Sequence, residues 1–442
     1  MQNKKLIRGF SKRNKEERID FLIERLGLTE QIRNWLYTFE SDDSDFQRII
    51  DELSENPVSN YHMPFCIAPN FLVNGVSRTF PLVTEESSVV AALGKAAAFW
   101  AERGGFHTEI TGTEKKGQVH FKWKGNPEKL AVLFPGFREK LMADSFGITA
   151  RMEARGGGIT SLELRYLPEI LPDYYQLDVS FETLDAMGAN FINSVLEKLA
   201  ESLLQIFAES GLFSAEEKDC EIIMAILSNH TPGSRVKVWT ECPVSELAGL
   251  DGTANFAEKF TEAVHIAQND VSRAVTHNKG ILNGIDALSI ATGNDFRAIE
   301  AGVHAFAARN GKYASLSHSE ISNGQFRFEM EIPLAVGVVG GTTAVHPLAK
   351  FALRILDDPS AKELMGYLAV AGLASNFAAI RALITSGIQR GHMKMHLSNI
   401  LSQLQVSENE RAEIQKHFAD KTVSYSEVEN FLNKKRNAKT TS

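Results

Sequence analysis

The densest set of side chains that can do chemistry lies in residues 276–295. This segment, THNKGILNGIDALSIATGND, holds one lysine, three asparagines, two aspartates and three glycines. A buried Lys279 beside a carboxylate would hold a negative oxygen in place during carbonyl chemistry. The alternative is a pair of tight turns in which Asn and Gly supply positive φ and Lys279 is solvated. The segment by itself leaves both interpretations open.

Three further polar motifs accompany this segment. They are TEESSVVA at 84–91, DAMGAN at 185–190 and GIQRGHM at 387–393. Smaller supporting segments are NFLVNG at 70–75, VGGTT at 339–343 and LASN at 373–376. In this order and at this spacing, the motifs resemble those of hydroxymethylglutaryl-CoA reductase, and most closely its soluble bacterial class, called class II or degradative. The resemblance runs from about Gly9 to about Leu401.

The resemblance implies a thioester reduced to an alcohol in two hydride steps, from hydroxymethylglutaryl-CoA to mevalonate and CoA. Lys279 is then the oxyanion stabiliser, and Glu86 is the acid that protonates the carbonyl oxygen. Asp295 is the carboxylate that couples the two, and Asn283 extends this network to the substrate. His392 is the proton donor to the departing thiolate, because the pKa of a free histidine lies near operating pH.

For each of these residues, the motif match is weighed against a plain structural role. Glu86 can be ordinary negative charge at a helix start, and Asp295 can be a turn cap after Gly293. Arg273 can bind the terminal carboxylate of the hydroxymethylglutaryl group, with Ser88 donating to the same group. The alternative for both is a surface or capping residue.

The nucleotide site differs from a Rossmann site, since no strand is followed by G-x-G-x-x-G. Instead, the DAMGAN motif ends a strand and opens a helix, where free N–H groups suit phosphate oxygens. A simple strand-to-helix turn capped by Asp185 is the plain alternative. The predicted nucleotide contacts are Asp185, Ala186, Met187, Gly188, Asn190, Gly340 and Gly341. Arg151 and Arg155 in 146–155, against one acid, Glu153, favour NADPH over NADH.

No metal is expected. His392 and His396 are four residues apart, but Met393 stands where a zinc protease helix has glutamate, and no third ligand is patterned nearby. The formal charge of −8 argues against a general nucleic-acid partner. No apolar run approaches membrane-spanning length, and the three scattered cysteines form no disulfide framework. We therefore expect a cytoplasmic protein without a membrane partner.

Hydrophobic patterning predicts an α+β fold. Alternating apolar residues indicate strands at 119–123, 162–166 and 177–181, and an apolar run indicates a fourth at 222–227. Helices are predicted at 128–142 and 189–210, and Ser87 and Ser88 are expected to cap a helix that ends at Gly104-Gly105. The order βαββαβ is that of a ferredoxin-like domain.

The expected organisation is a large, mostly helical domain with this small nucleotide-binding domain inserted and a helical C-terminal flap. The ranges are 1–109 and 228–377 for the large domain, 110–227 for the small domain and 378–442 for the flap. The resemblance implies a homodimer with each active site at the interface.

One segment departs from the family pattern. The family has Glu-Asn, two apolar residues and Gly beside the CoA site, whereas this chain has Glu55-Asn56-Pro57-Val58-Ser59, followed by Phe65 and Cys66 where small residues are usual. Proline removes a backbone donor, and losing the glycine restricts the turn. Two alternatives follow: the same enzyme oxidising mevalonate, or a homologue that binds acyl-CoA or nucleotide without turnover.

Overall fold

The computed structural model describes residues 6–385, 397, 400, 401, 403, 404, 406–418 and 423–440. The chain folds into mixed helix and sheet, which confirms the α+β class. The described helices are α1 Lys15–Leu26, α2 Glu30–Thr38, α3 Ser44–Asp51, α4 Ser87–Ala101, α5 Pro127–Glu153, α6 Ala189–Glu209, α7 Phe256–Asn269, α8 Val271–Ala291, α9 Phe296–Ala307, α10 Gly341–Val345, α11 Pro347–Ile355, α12 Ala361–Ile384, α13 Glu408–His417 and α14 Tyr425–Thr440.

The described strands form three sheets. They are β1 Phe65–Val73, β2 Val76–Val83, β3 His107–Ile110, β4 Lys115–Trp123, β5 Gly158–Tyr166, β6 Tyr174–Glu182, β7 Cys220–Ser228, β8 Arg235–Pro243, β9 Ser317–Ser322 and β10 Gln325–Pro333. The sheet orders are β1-β2, β3-β8-β10-β9 and β5-β6-β4-β7.

The third sheet contains the four predicted strands and is antiparallel throughout. Its chain order is β4-α5-β5-β6-α6-β7, the βαββαβ order expected from the sequence. Its core includes Phe121, Leu177 and Phe181 from the strands and Leu199 and Phe207 from α6. The predicted helix 128–142 is too short, because α5 continues to Glu153, with Ser145, Thr149 and Met152 still buried.

A second and larger core surrounds α12 and α8, the pair of helices with the most extensive packing. Helix α12 is long and apolar enough to cross a membrane by length and composition, but 67% of its apolar window is buried inside the protein. It therefore has the burial of a core helix. Small residues permit this packing: a Cβ on Gly284 would lie 2.3 Å from the carbonyl oxygen of Ala371.

A third, small core joins the described parts of the C-terminal region. Leu401, Ile414, Val428 and Leu432 are all buried within it. The predicted flap boundary at 377/378 falls inside α12, which runs without a break to Ile384.

Candidate active site

Helix α8 carries Lys279 and does not form the tight turns considered as the alternative. Asp270 caps the helix by accepting hydrogen bonds from the backbone N–H groups of Ser272 and Arg273, both at 3.2 Å. The helix continues to Ala291 because Ile281, Ile285 and other apolar residues recur on its buried face. The turn interpretation is therefore wrong for the region of Lys279, although Gly293 does adopt positive φ, at 73°, in a turn after the helix.

Lys279 is exposed in the single chain, whereas the sequence interpretation required a buried lysine. Asn283 and Asp286 are half-buried and lie four and seven residues further along α8, so the three side chains share one face. Arg273 is also half-buried, and burial lowers the pKa of its guanidinium. A dry environment for Lys279 has to come from groups outside the described single chain.

The polar residues just before Lys279 belong to a buried network. His277 Nε2 lies 2.6 Å from Ser317 Oγ, which donates to Asn376 Oδ1 at 2.9 Å. Asn376 Nδ2 donates to the carbonyl oxygen of His277 at 3.3 Å. Burial, aided by the charge of Arg273, lowers the pKa of His277 to about 3, so its ring stays neutral. This network fixes the backbone of α8 beside Lys279.

The carboxyl group that senses the charge of Lys279 is Asp286, a residue the sequence interpretation missed. Burial and the neighbouring Glu300 raise the pKa of Asp286 to about 8, while Lys279 opposes that rise. Its Oδ1 atom is buried and has no hydrogen-bond partner among the described residues. The spacing of seven residues from Lys279 on one helix face is the sequence signal that could have identified it.

Asp295 has different partners in the single chain. Its Oδ1 caps α9 by accepting from the N–H groups of Arg297 at 3.1 Å and Ala298 at 3.2 Å. Arg297 Nε also forms an ion pair with it at 3.2 Å. Although burial pushes the pKa of Asp295 upward, these contacts lower it overall. The described chain thus shows the capping alternative for Asp295, with no ion pair between Asp295 and Lys279.

Glu86 stands at the start of α4 and is half-buried. Its backbone conformation is that of the N-cap, so the predicted capping by Ser88 is wrong, while the side chain of Ser87 lies outside the described part of the chain. The hydroxyl group of Ser88 instead donates to Glu86 Oε1 at 3.2 Å. Glu86 and Ser88 therefore form one polar pair at the helix N-terminus.

The Asp185–Gly188 segment, here called the DAMG loop, joins β6 to α6. Gly188 is the N-cap of α6 at φ 92°, and no side chain caps that end among the described residues. Asp185 does not cap α6, because its Oδ1 accepts from the N–H of Ala361 at 2.8 Å. Asn190 is exposed in the first turn of α6.

The DAMG loop packs against the segment that leads into Gly340 and Gly341. The N–H of Val338 donates to the carbonyl oxygen of Asp185 at 2.8 Å, and Ala186 forms a parallel bridge with Val339. Both glycines are exposed with positive φ, at 80° for Gly340 and 55° for Gly341. The structure therefore brings the two predicted sets of nucleotide contacts together.

The Gly-Asn-Asp motif, residues 293–295, adjoins the same segment. Asn294 Oδ1 accepts from the N–H of Gly337 at 2.9 Å. Thr343 Oγ1 donates to the carbonyl oxygen of Thr292 at 3.0 Å. Three motifs that lie far apart in the sequence thus meet at one place through Gly337 and Asn294, which the sequence interpretation did not single out.

Comparisons with known proteins agree with this assembly of motifs. The family model described as hydroxymethylglutaryl-coenzyme A reductase matches residues 14–397. The 3-hydroxy-3-methylglutaryl-coenzyme A reductase of Archaeoglobus fulgidus is 37% identical over 398 residues, covering 89% of this chain and 86% of that protein. The probable reductase of Borreliella burgdorferi is 34% identical, covering 85% of this chain and 83% of that protein.

The structure of the class II reductase from Streptococcus pneumoniae bound to NADPH in open conformations is also similar. Its TM-score is 0.70 at 35% identity, covering 86% of this chain and 99% of that chain. This chain belongs to the class II hydroxymethylglutaryl-CoA reductase family. The predicted function, an oxidoreductase that uses a reduced nicotinamide nucleotide, is confirmed by that membership.

Two further segments that the sequence assigned to the site are the motif around His392 and the unusual segment at 55–57. His392 and the motif around it lie outside the described residues. Residues 55–57 line a polar cleft of about 930 Å³, together with Lys15 and Arg18 from α1. Asn56 adopts φ 56°, and Arg18 donates to the carbonyl oxygen of Pro57 at 3.3 Å.

No cluster of three or more metal-ligating side chains occurs in the part of the chain that the structure describes.

Proposed function

We propose that the chain reduces hydroxymethylglutaryl-CoA to mevalonate and CoA, and that its site is completed in a homodimer. The observation that carries this proposal is the convergence of the DAMG loop, the glycines at 340 and 341 and the Gly-Asn-Asp motif around Gly337. This arrangement supports the proposal because a helix start with free backbone N–H groups lies close to the segment that carries Asp295.

The proposed roles follow from side-chain chemistry. Lys279 stabilises the oxyanion, and Glu86 protonates the carbonyl oxygen, with Ser88 bonded to its carboxylate. Asp295 couples them once the partner subunit is in place, and His392 protonates the thiolate of CoA. Two molecules of reduced nucleotide, bound one after the other, would each supply one hydride.

The exposure of Lys279 supports the proposed homodimer. A fixed positive charge stabilises an alkoxide best where water is excluded, yet Lys279 is exposed in the single chain. Covering by a second subunit, and by a flap that carries His392, would supply that exclusion. Because α12 is continuous to Ile384, the flap would begin at the end of that helix.

The substrates are proposed to bind in three places. The β4–β7 sheet and its two helices form the small domain that binds the nucleotide at the DAMG loop. Half-buried Arg273 takes the terminal carboxylate of the substrate, with Asn283 as a donor. Ser88 donates to the same group once its hydroxyl turns away from Glu86. The polar cleft lined by residues 55–57 would bind part of CoA.

NADPH is the proposed nucleotide. Arg151 and Arg155 are exposed in the last turn of α5 and after it. A Cβ on Gly157 would lie only 2.6 Å from the carbonyl oxygen of Glu182, so this turn packs directly beside the strand that leads into the DAMG loop. The two cations can therefore reach a 2′-phosphate on a nucleotide held there.

The proposed location of the protein is the cytoplasm, without a membrane partner.

The test is consumption of reduced nucleotide with hydroxymethylglutaryl-CoA, run in parallel with NADPH and NADH. We expect two nucleotides oxidised per mevalonate formed and faster turnover with NADPH. Lys279→Ala should abolish turnover while CoA still binds, whereas Lys259→Ala, at an exposed lysine of α7, should be neutral. Retention of most activity in Lys279→Ala would show that the oxyanion assignment is wrong.

A further inference from the structure

Lys115, the first residue of β4, is a lysine with only 4% of its surface exposed. A buried ammonium is costly unless hydrogen bonds compensate it, so such residues are rare in soluble proteins. None of the catalytic or nucleotide assignments above uses this side chain. Its position next to the DAMG loop suggests what it does.

The Lys115 ammonium binds two neutral oxygens of the DAMG loop and its approach. Nζ donates to Thr183 Oγ1 at 2.6 Å and to the carbonyl oxygen of Ala186 at 3.3 Å. Thr183 Oγ1 in turn donates to the same carbonyl oxygen at 2.6 Å. The two side chains therefore fix one peptide group in the middle of the loop.

The positive charge of Lys115 is not neutralised by a close carboxylate. No ion pair of Lys115 within 4 Å is found among the described residues, and the carboxylates whose charge raises its pKa, Glu182 and Asp185, act at longer range. Both carboxylates have other partners, since Glu182 accepts from the N–H of Leu184 at 2.8 Å and Asp185 from the N–H of Ala361 at 2.8 Å. Burial lowers the pKa of Lys115 to about 8.

The shape of the loop depends on the same contacts. A Cβ on Gly188 would lie 2.5 Å from Thr183 Cγ2, so the N-cap of α6 packs directly on the threonine that Lys115 holds. A change in the position of Thr183 would therefore be transmitted to the uncapped N-terminus of α6.

We propose that Lys115 is a positioning residue for the reduced nucleotide: its ammonium fixes Thr183 and the Ala186 carbonyl, and so holds the DAMG loop and the start of α6 in the shape that accepts the pyrophosphate. The fixed charge behind the loop also favours an anion at that helix end. This inference rests on the proposed assignment of the DAMG loop to nucleotide binding.

The test uses the full-length protein with the variants Lys115→Met and Lys116→Met. Lys116 is the matched control because adjacent strand residues face opposite sides of the sheet, and its Nζ pairs with Asp178 at 3.1 Å. Binding of NADPH alone is measured by calorimetry, and KM and kcat are measured in the reductase assay. We expect Lys115→Met to raise the Kd and KM for NADPH about tenfold or more, with kcat changed less than about threefold. Lys116→Met should keep the wild-type Kd, KM and kcat, with a loss of stability because it removes the ion pair with buried Asp178.

A second pair of variants keeps the test decisive if Lys115→Met fails to fold. Thr183→Val preserves the shape of the side chain but loses the hydroxyl group, so it should raise the KM for NADPH. Thr183→Ser keeps the hydroxyl group, so its KM for NADPH should be close to that of the wild-type protein. Unchanged Kd and KM in folded Lys115→Met or Thr183→Val would overturn the inference, as would a loss of thermal stability alone. Wild-type protein that binds neither NADPH nor NADH would overturn the proposed function as well. Normal wild-type turnover with an unaffected Lys115→Met would overturn only this inference.

Discussion

Gly337 is the residue at which a single methyl group should separate the three motifs of the site. A Cβ at this position would lie 2.3 Å from the backbone nitrogen of Met187, 2.9 Å from the carbonyl carbon of Ala186 and 3.0 Å from the carbonyl oxygen of Asp185. All three contacts are backbone atoms, which cannot rotate away as a flexible side chain can. Gly337→Ala therefore forces the DAMG loop or the Gly337 segment to move.

The size of that movement follows from the contact distances. Ordinary van der Waals contact begins near 3.4 Å, so the closest pair of atoms has to separate by about 1 Å. The Gly337 segment is held by the Asn294 hydrogen bond and by buried Val336. Gly337 does not adopt positive φ, so alanine meets no backbone strain of its own. We expect a cost of about 1–3 kcal/mol in stability, as for other overpacked sites.

The kinetic effect should be similar in free energy to the effect on stability, because each tenfold change in rate corresponds to about 1.4 kcal/mol. A misplacement of about 1 Å in a reacting pair can lower the rate about 100-fold, so we expect kcat/KM for NADPH to fall by about 10- to 100-fold. The assay is steady-state NADPH oxidation at saturating hydroxymethylglutaryl-CoA, together with thermal unfolding to show that the variant is folded.

Gly136→Ala is the matched control for Gly337→Ala. Gly136 lies inside α5, and a Cβ there would meet nothing within 4 Å. Because alanine favours a helix interior over glycine, this variant should keep wild-type kinetics and equal or higher stability. Wild-type kcat/KM in folded Gly337→Ala would refute the view that the DAMG loop has to sit where the structure places it.

Three further predictions concern charge. The pKa of Asp286 is raised to about 8, so its contribution to stability is complete below its ordinary pKa near 3.8 and is lost as the pH rises through 8. In urea unfolding across pH 4–9, Asp286→Asn should lack that decline in stability. An unchanged decline in the variant would exclude Asp286 as its source. The pKa of His277 is lowered to about 3, so its contribution to stability is complete above pH 6.5 and is lost as the pH falls toward 3. His277→Gln should be less stable than the wild-type protein at pH 7 yet lose less stability between pH 7 and pH 4. Parallel profiles of stability against pH for the two proteins would contradict this. Replacing Arg151 and Arg155 together by alanine should raise the KM for NADPH about tenfold and leave that for NADH unchanged; an equal rise for both nucleotides would show that the arginines do not read the 2′-phosphate.

The sequence was sufficient to predict the family, the α+β class and the four strands of the β4–β7 sheet. Alternating apolar residues such as Leu177, Val179 and Phe181 predict a strand because every second side chain faces one core, and this local rule holds wherever the strand is placed. The polar motifs were equally visible, since the chemistry of Lys279 or Glu86 is a property of the residue type.

The relations between those motifs came only from the tertiary structure. The sequence does not show that Asn294 bonds to Gly337, because the partners are 43 residues apart and neither carries a local signal for the other. It also suggested burial for Lys279 and coupling for Asp295, whereas in the described chain the first is exposed and the second is bonded to Arg297.

The same limit applies to the charged groups. Nothing in the neighbours of Lys115 along the chain marks it as unusual. The spacing of Asp286 from Lys279 predicts a shared helix face but not the burial of the carboxyl group. Their pKa values are shifted because distant segments bury them, and burial is decided by how helices and strands pack, not by the order of residues within any one of them.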